Sequence, residues 1–164
     1  MRLTAASEYG CLALLTIAQS SPNWCKRQMI TERFDIPASY LEQILHKFAT
    51  AGIVVSRRGS EGGFRLARAA DQITIAQIVR TVEGALAPVR SVSDNFYQPS
   101  PIEASPAFRQ LFRSVRDAVA EILEHTTLED IVENEHLISQ SPNSGGTRRT
   151  SRPSPRGAGA RKRS

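Results

Sequence analysis

Two short helical patterns, separated by a proline, constrain the fold of this chain more than any other feature. In the first pattern Met29, Ile30 and Phe34 are spaced as on a helix, and it ends before Pro37 because the residue preceding a proline disfavours the helical conformation. The second pattern repeats apolar residues every three or four positions, at Tyr40, Leu41, Ile44, Leu45 and Phe48, and Gly52 follows as a C-cap. Two short helices joined by a tight turn form a helix-turn-helix, whose second helix usually enters the DNA major groove.

A β-hairpin pattern follows the second helix. Residues 53–56 are rich in β-branched side chains, residues 59–63 are rich in glycine, and residues 64–66 alternate between apolar and polar. Arg57 and Arg58 lie beside the tip, where a winged helix carries its wing, and arginines there suit a narrow minor groove and its flanking phosphates. The alternative is a small α+β domain in which these arginines are merely solvated.

The net charge of +5 is distributed unevenly along the 164 residues. Residues 1–80 carry ten basic and six acidic residues, residues 81–140 carry four and ten, and residues 141–164 carry seven and none. The N-terminal part is therefore basic in its own right, which suits a DNA-facing head on an acidic body.

Several classes of protein are not expected from this sequence. It has no apolar run long enough for a membrane helix and no signal-peptide pattern, so a cytoplasmic protein without a membrane partner is expected. Two cysteines, Cys11 and Cys25, do not make a disulfide framework. The three histidines are scattered and no nucleophile motif or phosphate loop is present, so neither an enzyme nor a metal protein is expected.

Four separated blocks of sequence carry a resemblance to a known family. They are MRLT with Tyr9, SYLEQIL at Ser39–Leu45, AGIVVSRRGSEGGF ending at Phe64, and ITIAQIVRTVEG at Ile73–Gly84. In this order they resemble the Rrf-type family of bacterial winged helix-turn-helix regulators that includes IscR, NsrR, CymR and RirA. The resemblance implies a mainly α fold with a small β-hairpin wing, a DNA-binding domain at residues 1–84 and a long dimerisation helix.

The same resemblance implies which residues face double-stranded DNA. From the second helix these are Ser39, Tyr40, Glu42 and Gln43, from the wing Arg57, Arg58 and Gly59, and at the N-terminus Arg2. Lys47 is added because it lies on the second helix outside the apolar stripe.

The chemistry of these side chains leaves alternatives open. Glu42 can accept a hydrogen bond from cytosine and Gln43 can be bidentate to adenine. Ser39 and Glu42 also fit an S-x-x-E capping box, which would use both side chains on the helix backbone. Tyr40 is compatible with either a phosphate contact or packing in the core.

Residues 85–104 lack periodicity and form a loop at the position where the family carries its sensor. Cluster-binding members have three cysteines in this loop, and this chain has none. Because such a cluster requires thiolate ligands, no cofactor is expected, and Glu8, an acidic ligand in some relatives, is interpreted as a surface carboxylate. Phe96 and Tyr97 either line a small-molecule pocket or hold the loop in place.

The C-terminal part divides into a helical segment and a tail. Residues 105–138 contain a cap at Ser105, a long amphipathic helix and a short helix capped by Thr127. The apolar surface of the long helix exceeds what one small head can cover, which predicts a homodimer. Residues 139–164 are predicted to be a disordered basic tail, with either added non-specific DNA affinity or no function.

The sequence therefore favours a dimeric, sequence-specific transcription regulator, most often a repressor in the resembling family. One alternative is a protein-interaction module that binds a metabolic enzyme through its C-terminal half. Another is a thiol-based redox regulator, because nearby cations and a helix N-terminus could lower the pKa of Cys25.

Overall fold

The computed structural model describes residues 3–84, 86, 90–93 and 97–140, and these contain six α-helices, three short 3-10 helices (Ala70–Gln72, Arg90–Val92 and Pro101–Ala104) and one two-stranded hairpin. The helices are α1 (Ala5–Gln19), α2 (Arg27–Phe34), α3 (Ala38–Thr50), α4 (Ile75–Glu83), α5 (Pro106–His125) and α6 (Leu128–Gln140), and the strands are β1 (Val54–Arg57) and β2 (Gly63–Leu66). Arg2, Phe96 and the basic tail from residue 141 lie outside the described residues.

Helices α1 to α4 surround the main core. Leu14, Ile30, Leu41 and Phe48 are fully buried there, and each comes from the apolar stripe of its own helix. Thr4 caps α1, as a threonine directly before a helical pattern predicts, and the predicted Gly52 follows α3 with φ of 67°. The turn between α2 and α3 passes through Asp35 in the left-handed conformation, which ends α2 ahead of Pro37.

The hairpin has the predicted strands and is tied to the helical core. Its antiparallel register places Val54 opposite Leu66 and Arg57 opposite Gly63. A further segment joins β2, because Cys25 and Phe64 exchange two backbone hydrogen bonds of 2.9 and 2.8 Å. The wing is thus anchored to the chain just before α2, which fixes its position relative to the helix-turn-helix.

A carboxylate joins the start of α1 to the end of α4. The Glu83 carboxylate accepts hydrogen bonds from the Thr4 backbone N–H at 3.1 Å, the Thr4 hydroxyl and the Ser7 hydroxyl at 2.7 Å. Burial alone would raise the pKa of Glu83, but these hydrogen bonds outweigh it and lower the pKa. Helix α4 itself begins with a capping box of Thr74 and Gln77, as the T-x-x-Q pattern of the sequence predicts.

The C-terminal helices return to the head. Leu128, at the start of α6, is buried in the main core and its N–H donates to the Ile73 carbonyl at 2.8 Å. Thr127 caps α6 as expected, with Asp130 closing a reciprocal pair of hydrogen bonds, although α6 continues beyond residue 138 to Gln140. No helix in the described ranges is both long and apolar enough to cross a bilayer.

Candidate nucleic-acid interface

Helix α3 has one buried face and one exposed polar face. Leu41, Ile44, Leu45 and Phe48 are buried. Ser39, Gln43 and His46 follow i, i+4, i+7 spacing on the opposite side, and all three are exposed. Because serine, glutamine and histidine side chains can all hydrogen-bond to bases or phosphates, this exposed face can dock against nucleic acid without disturbing the core.

The capping-box interpretation of Ser39 and Glu42 is wrong. Pro37 occupies the N-cap position and α3 begins at Ala38, so Ser39 lies inside the first turn and makes no cap hydrogen bond. Glu42 instead pairs with Arg27 at the start of α2, with 3.0 Å between Oε2 and the guanidinium. Both side chains are largely exposed, so the pair adds little stability. It does place a cation next to Glu42 and offsets the repulsion between this carboxylate and a phosphate.

Tyr40 and Lys47 both have protein partners. The Tyr40 ring meets Tyr9 of α1 edge to face, with ring centres 5.7 Å apart, while 37 % of Tyr40 stays exposed. Tyr40 therefore packs on α1 as one expectation held, while its contact with a DNA phosphate stays a prediction. The Lys47 ammonium donates to the Val82 carbonyl near the end of α4 at 3.2 Å. Lys47 thus faces α4, and its geometry does not support the expected DNA contact.

The wing arginines are organised by a tryptophan. Arg57 and Arg65 share one face of the hairpin, because Arg65 pairs with Val55, two residues before Arg57. Their guanidinium carbons lie 6.0 and 5.0 Å from the Trp24 ring centre. These are cation–π distances, so Trp24 orients two positive charges on the wing.

The wing tip leaves Arg58 exposed and depends on glycines. Gly59 has φ of 103°, in the left-handed region that L side chains rarely adopt. A Cβ on Gly62 would lie 2.1 Å from the Arg57 carbonyl oxygen, and one on Gly63 would lie 2.5 Å from that of Cys25. The tight tip therefore requires both residues to lack a side chain, and Arg58 is exposed beside it.

Sequence reasoning missed four residues of this surface: Trp24, Arg27, His46 and Arg65. Two signals were available for them. His46 continues the helical spacing from Ser39 and Gln43, and Arg65 alternates in phase with Arg57 on a hairpin. No local pattern pointed to Trp24 or Arg27, because their partners lie 15 or more residues away in sequence.

The expectation that the Cys25 thiol has a lowered pKa is wrong. Cys25 is completely buried, and burial raises the pKa of its thiol, with a hydrogen bond from Ser20 acting in the opposite direction. Burial likewise raises the pKa of the Cys11 thiol. Lys26 and Arg27 are exposed, and Arg27 pairs with Glu42, so neither cation lowers the pKa of the buried thiol.

The two cysteines of this chain are not placed to hold a metal cluster in the loop at residues 85–104. Both cysteines of the chain lie in the head and none lies in residues 85–104. Among the described residues, no group of three or more His, Cys, Asp or Glu side chains is arranged to hold a metal ion. A thiolate-ligated cluster in the loop therefore has no ligands in this chain, and Glu8 is an exposed residue of α1.

Comparisons with known proteins show the family of this chain. The family model "Rrf2: Iron-dependent Transcriptional regulator" matches residues 3–134. The transcriptional regulator CymR of Bacillus subtilis is 34 % identical over 134 residues, covering 80 % of this chain and 89 % of CymR. The solved structure of B. subtilis CymR, the global cysteine regulator, matches with a TM-score of 0.70 at 31 % identity, covering 82 % of this chain and 98 % of that one. IscR of T. potens matches with a TM-score of 0.68 at 25 % identity, covering 86 % and 92 %.

Proposed function

The chain belongs to the Rrf2 family of transcriptional regulators, and on this basis we propose that it is a homodimeric repressor that reads operator DNA with α3 and the wing. That it is a DNA-binding transcription regulator follows from the family, whose members are generally not enzymes. Two observations support the detailed proposal: α3 has an exposed polar face, and the wing that follows it in the chain carries exposed arginines.

We assign direct contacts with DNA bases to Gln43 and Glu42. Contacts with the sugar-phosphate backbone of DNA are assigned to Ser39, Arg57 and Arg58. Gln43 lies at the centre of the exposed α3 face, where it can reach an adenine edge. Glu42 keeps one carboxylate oxygen outside its pair with Arg27 and can accept from a cytosine amino group. Tyr40 and Gly59 flank these residues, and Arg2 with the basic tail are proposed to add phosphate contacts.

The dimer proposal is supported by the surface of α5, which has no buried residue. Its exposed apolar side chains form a strict a/d heptad seam at Phe108, Leu111, Val115, Ala118 and Ile122. Phe108 and Leu111 are 54 % and 53 % exposed and Ile122 is 66 % exposed, which is costly in water unless a second copy covers them. A twofold dimer would present two α3 helices to a pseudo-palindromic operator.

Repression and a cytoplasmic location complete the proposal. A dimer seated on an operator that overlaps a promoter blocks polymerase by occupancy alone, and this requires no activating surface. Because a bacterial regulator meets its DNA in the cytoplasm, we place its action there. The alternatives of an enzyme-binding module and a thiol switch remain predictions, and the burial of Cys25 gives the second no support.

Genomic footprinting of the purified protein tests the function directly, and Arg58→Ala tests the wing. We expect discrete protected sites with twofold symmetry. On such a site Arg58→Ala should bind at least about tenfold more weakly, measured by fluorescence anisotropy at fixed salt, because an exposed charge on phosphate or minor groove is removed. Arg68→Ala, an equally exposed arginine at the base of the hairpin, should bind like the wild type. Absence of protected sites would refute the proposed function.

Replacing Trp24 should weaken DNA binding without removing a contact to DNA. Trp24→Leu frees Arg57 and Arg65 from the ring, and we expect operator affinity to fall about three- to tenfold. Trp24→Phe keeps an aromatic face and should retain most of the affinity. Equal affinities for the leucine variant and the wild type, with unchanged thermal unfolding, would show that Trp24 does not organise the wing.

A further inference from the structure

A polar cavity of about 140 Å³ lies between α5 and the segment that precedes it. This volume has room for about four or five waters, or one small anion. The cavity is lined by three arginines, one carboxylate and hydroxyl-bearing side chains, namely Arg109, Arg113, Arg116, Glu103, Ser91, Ser93 and Tyr97, together with Val92. It is separate from the α3 and wing surface and from the apolar seam of α5.

The walls of the cavity are held by specific contacts. Arg116 donates to the Val92 carbonyl at 2.6 Å and pairs with Asp117 at 2.6 Å, so its side chain is only 18 % exposed. The Ser91 and Ser100 hydroxyl oxygens are 2.9 Å apart, and the Tyr97 phenol donates to Glu103 at 2.9 Å. These contacts connect both ends of the segment to each other and to α5.

Two charges in the cavity have no partner in the part of the chain that the structure describes. The Arg109 and Arg113 guanidinium groups form neither a hydrogen bond nor an ion pair with any described residue. They are one turn apart on α5, where like charges repel. Arg109 also acts on Tyr97: the hydrogen bond to Glu103 raises the pKa of this phenol, and the charge of Arg109 opposes that shift. Two adjacent guanidinium groups facing a concave polar wall are stabilised by an anion.

We propose that this cavity binds a small oxyanion ligand, a carboxylate or a phosphate, held by Arg109 and Arg113. The planar guanidinium fork matches both groups in bidentate geometry, and Glu103 limits the net positive charge so that a small anion is sufficient. Such a ligand would join residues 91–93, Tyr97 and Glu103 to the helix that carries the dimer seam. It would therefore act as an effector of the regulator. This effector role rests on the proposed function, whereas the binding of an anion in the cavity does not.

The test is an NMR titration of the full chain without DNA, with inorganic phosphate and malonate as separate probes. Chloride keeps the ionic strength constant. Saturable shifts of the amides of Ser91–Ser93 and of residues 109–116 are expected with at least one probe. A response to phosphate alone assigns a phosphate ligand, a response to malonate alone assigns a carboxylate, and a response to both assigns a general oxyanion site.

Arg109→Gln with Arg113→Gln should weaken this binding at least about tenfold, and Arg68→Gln should leave it unchanged. The amide spectrum of each variant checks that the fold is intact. The proposal is overturned if neither probe produces saturable shifts, or if the double variant binds as tightly as the wild type. Because the titration contains no DNA, its outcome is independent of the footprinting result.

Discussion

Replacing Leu111 and Val115 together by aspartate is expected to convert the protein to a monomer and to lower operator affinity at least about a hundredfold. Both side chains are exposed in the centre of the α5 seam, and two charges there would have to be buried opposite their symmetry mates. A monomer places only one α3 on DNA. It loses the increase in affinity that comes from binding two half-sites at once, which is typically 10²-fold or more. Light scattering after size-exclusion chromatography measures the mass, and fluorescence anisotropy measures the affinity.

Gln110→Asp is the control for an added negative charge, because it places one aspartate on a different face of α5. It should remain dimeric and bind normally. If the double aspartate variant remains a dimer, α5 is not the interface. If it is a monomer with undiminished affinity, the twofold arrangement on DNA is wrong.

The second large effect is expected from Gly62→Ala. The new Cβ would lie 2.1 Å from the Arg57 carbonyl oxygen, so the tip must open and carry Arg57 and Arg58 away from the α3 face. Each of these two arginine contacts is expected to contribute about tenfold to operator affinity, so their joint loss should lower the affinity by roughly a hundredfold. The dimer should persist, since α5 is remote from the wing.

Ser60→Ala is the control for Gly62→Ala, because it changes an exposed residue of the same tip and leaves the backbone unaffected. It should bind within about twofold of the wild type. Undiminished affinity of the alanine variant at position 62, with a normal dimer mass, would show that the wing tip contributes little to recognition.

The fold was predictable where local chemistry determines it. The turn at Asp35 to Pro37, the glycine-rich hairpin and the capping box of Thr74 and Gln77 follow from neighbouring residues alone, and all three are confirmed. The start of α3 was less predictable. Two signals competed there, and because Pro37 occupies the N-cap position, Ser39 lies two residues too late to cap the helix.

The site was predictable only in its exposed residues. The direction of Lys47 depends on Val82, which lies 35 residues later, and the positions of Arg57 and Arg65 depend on Trp24. The pKa of Cys25 was misjudged because its neighbours in sequence are cations while its neighbours in space are core residues. The cavity against α5 was equally hidden, since i, i+4, i+7 spacing of arginines does not reveal which segment packs over them.

Photo-crosslinking from single benzoylphenylalanine residues tests the central claim most directly. The residue is placed at Gln43 on α3, at Arg58 on the wing, or at Glu129 on α6, and each protein is irradiated on a footprinted operator. The proposed arrangement predicts crosslinks to DNA from positions 43 and 58 and none from position 129. Crosslinks from position 129, with none from the other two, would show that a different surface binds DNA.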